Sequence, residues 1–268
     1  MPLNFAFNAA QIIWMVTFAA QLVLLVVLLG RDRAKLFPIF ALCTILATFR
    51  WLASRLLFQR MSPVAGNVVF LSLAVIVALA NLGLLVELAI KAFKKASVKS
   101  RAIGAAVVVV LAGALVILWG PWPGWKMLTG GGLMVDLRLM QLVAQRCDML
   151  TGALSIQVAI LVAFVGRRLG AGWRSHTQLL LVGLGTIGAC QLAISATWQT
   201  IVTHTVLHSQ EEYFHMLGLR DKLNNANSVV YILVLIWWIG CLWIDEPTTA
   251  PPEVAEVAAI EPPAVPES

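Results

Sequence analysis

Long apolar runs separated by short polar breaks make up most of this chain. Seven such runs lie at 8–29, 36–58, 67–90, 103–119, 149–165, 177–202 and 228–244. Each is close to the roughly 20 residues that cross the hydrocarbon layer of a bilayer. In lipid every backbone N–H and C=O must be paired within the protein, which leaves helices and closed barrels as spanning structures. The runs are too long and too uniformly apolar for the alternating strands of a barrel. The pattern predicts an all-α membrane protein with seven transmembrane helices in residues 1–245.

The polar breaks divide the runs in different ways. Pro38 opens the second run, where proline is tolerated in a first helical turn. Ser62, Pro63 and Gly66 make a turn before the third. After the fourth, the segment GPWPGW at 120–125 breaks the helix, and Trp119, Trp122 and Trp125 suit a membrane interface. Residues 133–148 mix Asp136, Arg138, Gln141, Arg146 and Asp148 with apolar positions. They read as an amphipathic lead-in to the fifth run, either lying on the surface or extending the helix outward. A polar stretch at 204–227 reads as a loop. Residues 246–268 are rich in Pro, Ala and Glu without a basic residue, and are expected to be a disordered acidic tail.

Charge adds an orientation. The clusters after the first, third and fifth runs hold 3, 5 and 3 Lys/Arg, and all three fall on one side of the predicted bundle. The positive-inside rule puts that side in the cytoplasm, the N-terminus outside and the tail inside. No Lys or Arg precedes Arg31, so a cleaved signal peptide is not expected. With 60% hydrophobic and 12% charged residues, the chain departs far from the about 25% charged residues of soluble domains. The net charge of +6 comes from the clusters that flank the spans, so nucleic acid is not an expected partner. The expected surroundings are a lipid bilayer, a bacterial inner membrane. Cys43, Cys190 and Cys241 fall within spans and Cys147 near the start of one, so no disulfide framework is expected.

Residues 21–31, QLVLLVVLLGR, resemble residues 157–167, QVAILVAFVGR. Runs three and seven also begin alike, VVFL at 68–71 and VVYI at 229–232, whereas runs two and six match poorly. This suggests a 3+1+3 parallel repeat about an axis along the membrane normal. The plan resembles the SWEET and PnuC-type transporters in topology only, because Pro38 has no counterpart at the start of run six.

A closer resemblance rests on RDRAKLFPIF at 31–40, on Glu87, on GRRLG at 166–170 and on WRSH at 173–176 with the glycine-bearing start of run six. By these residues the chain resembles a family of uncharacterised seven-helix membrane proteins common in acidobacterial genomes. The resemblance implies fold and topology and carries no activity.

Charged and amide side chains inside the spans are the candidates for chemistry. A charge at mid-depth costs about 2.5–3.5 kcal/mol on insertion scales, so each needs a reason. Arg50, with Arg55 beyond it, suits an anionic ligand; the alternatives are snorkelling to headgroups or pairing with Asp148. Glu87 suits proton coupling or an i,i+4 pair with Lys91. Gln21, Asn81, Gln157 and Gln191 suit a ligand-binding polar cavity, or simply join helices. His204, His208 and Glu212 would share one helical face, a zinc site if the stretch is helical, although HExxH is absent. A retinal Schiff base is excluded because 228–242 holds no lysine, and no GxxxxGK[ST] phosphate loop is present.

These residues lead to small-molecule transport or ligand binding between two three-helix bundles. The alternative is a sensory or scaffold protein acting through a cytoplasmic partner of the tail. No catalytic residue stands out, and no cofactor is expected apart from zinc at the histidine stretch.

Overall fold

A computed structural model describes residues 9–56, 61–94, 97–119, 132–165, 175–205 and 209–245, and these are almost wholly helical. The helices are α1 (Ala9–Gly30), α2 (Arg33–Leu36), α3 (Pro38–Leu56), α4 (Pro63–Ala92), α5 (Val98–Leu118), α6 (Leu133–Val165), α7 (His176–His204) and α8 (Gln210–Trp243). Six of them, α1 and α4 to α8, contain stretches long and apolar enough to cross a membrane. The apolar part of α3, Pro38–Ala53, is shorter.

Six long helices close into a ring. The packed neighbours run α1–α3–α4–α6–α7–α8 and back to α1. The ring order is the chain order with α5 left out, and α5 packs on the outside against α6. In such a ring α1 lies opposite α6, α3 opposite α7 and α4 opposite α8.

The sequence accounts for which faces turn inward. On α1 the buried residues Thr17, Gln21, Leu24 and Leu28 are spaced by four, three and four, a single stripe along the helix. Tyr231, Leu235, Trp238 and Leu242 repeat that spacing on α8, and the last three are buried. The outward faces, such as Val26, Leu29 and Ile90, remain apolar and exposed, as contact with lipid requires. In lipid, apolar burial does not drive helices together, so close packing of small residues does much of the work. Gly152 on α6 meets Gly188 on α7 so closely that a Cβ on residue 188 would stand 2.7 Å from the Gly152 carbonyl oxygen.

Two helices are longer than their apolar runs. Residues 133–148 continue directly into the fifth run as α6, so the lead-in extends that helix. The polar stretch expected as a loop over 204–227 is helical from Gln210 onward. At 1.5 Å per residue, the 34 residues of α8 reach about 50 Å, well beyond a hydrocarbon layer of about 30 Å. The helix persists through Asn224 and Asn225 because ending it there would orphan up to four N–H groups beside the membrane. The weak helix propensity of asparagine costs less than that. Ser209 starts α8 instead, its hydroxyl accepting the Glu212 N–H at 3.2 Å.

The end of the ring that carries Gly30 and Trp243 is tied by polar contacts. Arg33 pairs with Asp245 at 2.6 Å. His176 Nε2 lies 3.1 and 2.9 Å from the carbonyl oxygens of Cys241 and Ile244. Glu87 accepts the Ile39 N–H at 3.1 Å and pairs with Lys91 at 2.7 Å. Lys91 also donates to the Leu36 carbonyl. The ion pair expected of Glu87 and Lys91 is therefore present, and Glu87 also supplies the cap that α3 lacks in its own sequence.

Candidate functional site: a cavity at the ring axis

A cavity of about 510 Å³ occupies the centre of the ring, and all six ring helices line it. This volume falls within the range of small-molecule sites. α5 contributes nothing to it.

The cavity has two unlike ends. Its deep end is apolar, formed by Leu24, Phe40, Leu84, Leu235 and Trp238, each at most 4% exposed. Phe40 meets the Trp238 indole edge-on at 5.1 Å. At its other end lie Arg50, Asp148, Gln191, Asn227 and Ser228, with Asn81 part-way between the two, one turn from Leu84 on α4. Asp148 is exposed there, which marks the mouth of the cavity at the end of the bundle that bears Ala9. By helical rise, Trp238 sits about 8 Å from the end of α8 and Arg50 about 18 Å from the start of α3.

Helix geometry places each polar group. The Arg50 guanidinium lies over the Phe70 ring of α4, 4.9 Å from its centroid. Arg50 and Asp148 interact electrostatically across the cavity. Among the described residues neither belongs to an ion pair. The Thr44 and Thr151 hydroxyls donate to the carbonyls of Phe40 and Cys147 in their own helices, leaving only acceptor capacity toward the cavity. Asn227 keeps a buried Oδ1 with no hydrogen-bond donor.

Of the five ligand candidates named from the sequence, Arg50, Asn81 and Gln191 line the cavity. Gln21 is fully buried beside it, and its Nε2 donates to the Tyr231 hydroxyl at 3.1 Å, linking α1 to α8. Gln157 is not among the lining residues, and its Oε1 is buried without a donor. It is two residues beyond Ser155, roughly 200° around the helix axis, on another face of α6. The alternative pairing of Arg50 with Asp148 is present as an electrostatic relationship and not as a contact.

The histidine stretch is not one helix. α7 ends at His204, Thr205 is extended, and α8 begins at Gln210, so His204 and Glu212 belong to different helices. His208 and the side chain of Arg55 lie outside the described residues, as do residues 166–174 and the tail from 246. Among the described residues no group of three or more His, Cys, Asp and Glu side chains is placed to hold a metal ion.

Sequence reasoning missed Tyr231, Asn227, Ser155, Trp51 and Phe70 as lining residues. The only available signal was their helical spacing: Asn227, Tyr231 and Trp238 fall on one stripe of α8. The chain matches no protein-family model, no curated protein and no solved structure.

Proposed function

We propose that this is a seven-span protein of a bacterial inner membrane that carries a small molecule through its central cavity. In this reading the Ala9 end faces outward and the end bearing Arg31, Arg33 and Lys91 faces the cytoplasm, following the positive-inside rule. α3 counts as the seventh span. The 3+1+3 repeat fits this picture, because repeat-related helices fall opposite one another on the ring and α5 stands aside as the linker.

One observation carries the reading: a cavity at the ring axis, lined by all six helices, polar at one end and sealed at the other. The closed end combines packed apolar side chains, among them Leu28, Phe40, Trp238 and Leu242, with polar ties among helix ends, Arg33–Asp245 and His176 with the Cys241 and Ile244 carbonyls; transport requires this end to open.

The test is solvent access at Gln191. A single cysteine replaces Gln191 after Cys43, Cys147, Cys190 and Cys241 have been removed. Membrane-impermeant maleimide is applied to spheroplasts and, separately, to inverted vesicles. Transport predicts reaction from both sides. Reaction from the outer side alone would leave a binding pocket and remove transport. No reaction from either side would remove the cavity reading altogether.

A further inference from the structure

We propose that the ligand of this cavity is a zwitterion carrying an apolar group, its anion held by Arg50 and its ammonium by Asp148; this rests on the ligand-binding reading above. The cavity wall presents one basic and one acidic side chain, on α3 and α6, with Arg50 and Asp148 close enough to interact. Among the described residues they form no ion pair, so space separates them. Opposite charges left apart attract a molecule that satisfies both. A neutral ligand leaves both charges unpaired. A ligand with a single charge leaves one of them unpaired. A zwitterion completes both and enters the membrane with no net charge.

The details of each group fit their assigned ends. Arg50 is braced over the Phe70 ring, leaving the edge of its planar fork to meet two oxygens of one anion. An ammonium has three donors to place. Asp148 offers carboxylate acceptors, and Asn227 Oδ1 is a further cavity-lining acceptor with no donor of its own. The apolar group then points to the deep end, where Phe40, Leu235 and Trp238 are sealed from solvent.

The same chemistry occurs in a free amino acid and in an ethanolamine phospholipid headgroup, and one experiment separates them. The full-length protein with Gln191→Cys as its single cysteine, in nonionic detergent, is labelled with maleimide at rising concentrations of L-leucine. Parallel series use 4-methylpentanoate, which lacks the ammonium, leucinamide, which lacks the carboxylate, and short-chain phosphatidylethanolamine. L-Leucine is expected to slow labelling, with each single-charge analogue needing roughly tenfold more or beyond for the same protection. Asp148→Asn should bring 4-methylpentanoate level with leucine, and Arg50→Gln should do so for leucinamide. Protection by the phospholipid and not by leucine keeps the zwitterion and assigns it to a lipid. Equal protection by either single-charge analogue overturns the proposal. So does a reactive cysteine that neither leucine nor the phospholipid protects, although the cavity itself then stands. A cysteine that never reacts overturns the proposal and the cavity together.

Discussion

The indole of Trp238 rests directly on the backbone of Gly183: a Cβ at residue 183 would lie 2.2 Å from Nε1 and 2.7 Å from Cε2. Trp238 forms the floor of the cavity, is 4% exposed and is braced by the Phe40 ring at 5.1 Å. Gly183→Ala is expected to destabilise the protein by about 1–3 kcal/mol, the usual cost of overpacking. A lower thermal midpoint in nanodiscs checks this. Trp238→Phe combined with Gly183→Ala should recover part of the loss, because the smaller ring leaves room for the methyl.

The second close approach is backbone against backbone. At residue 188 a Cβ would meet the Gly152 carbonyl oxygen at 2.7 Å and its Cα at 2.9 Å. No side chain can turn aside to relieve that contact. Gly188→Ala is therefore expected to push α7 from α6 and to cost more than Gly113→Ala on α5, where a Cβ meets nothing within 4 Å. Thermal midpoints of the two variants, compared side by side, decide it.

Glu87 holds two partners, and two variants separate them. Gln at this position keeps an acceptor for the Ile39 N–H and loses the ion pair with Lys91. Ala loses both and leaves the first turn of α3 without its cap. Glu87→Ala is expected to cost about 1–3 kcal/mol, the penalty of an unsatisfied buried group, and Glu87→Gln distinctly less. Equal losses in thermal midpoint would mean that the charge matters and the cap does not.

Arg146 is a polar tie between the outer helix and the ring. Its guanidinium donates to the carbonyls of Val116, at 3.2 Å, and Trp119, at the C-terminal end of α5. α5 otherwise packs chiefly against α6. Arg146→Gln is expected to speed hydrogen exchange near residues 112–118 while leaving the Tyr231 region of α8 protected. Equal acceleration at both places would show that α5 is not a separately opening unit.

Asp32 supplies the pH prediction. Its carboxyl is held below the usual value by a hydrogen bond from Lys35 and by that residue's charge, at 2.8 Å. The depressed value means that any stability from the pair is present above the ordinary carboxylate range and fades as pH falls through the lowered value. The pair is exposed, so Asp32→Asn should leave the thermal midpoint at neutral pH unchanged. Asp32 has φ +52°, a left-handed conformation that asparagine tolerates. Asp32→Val should instead cost about 1–2 kcal/mol through strain at that position. Melting curves of both variants separate charge from backbone.

Much of the frame could be read from residue order alone. Each apolar run, from 8–29 to 228–244, falls within or nearly within a helix, because a span in lipid has no other way to pair its backbone. The start of α3 was legible at Pro38, whereas Ser62, Pro63 and Gly66, expected as a turn before the third run, instead cap and begin α4. Boundaries were not legible on the polar side: residues 133–148 and 210–227 continue as helix into water, where hydropathy no longer separates helix from loop. Arg50, Asn81 and Gln191 could be picked out because a polar group inside a span needs a reason. Gln157 met the same criterion and faces elsewhere, since rotation about the helix axis depends on the neighbour that a helix finds.

Composition and spacing alone thus determined that this chain is a multi-helix membrane protein, because the energetics of the backbone in lipid leave few alternatives. Only the tertiary structure decided that six helices close a ring in chain order and that α5 is left outside. It also decided that Arg50 and Asp148 face one cavity without touching, and that Trp238 lies on Gly183. Those relationships join distant residues, Arg50 with Asp148 across the cavity and Gln21 with Tyr231, 210 positions apart, where the ring closes. They depend on how closely particular small residues let two backbones approach, and no single helix encodes that.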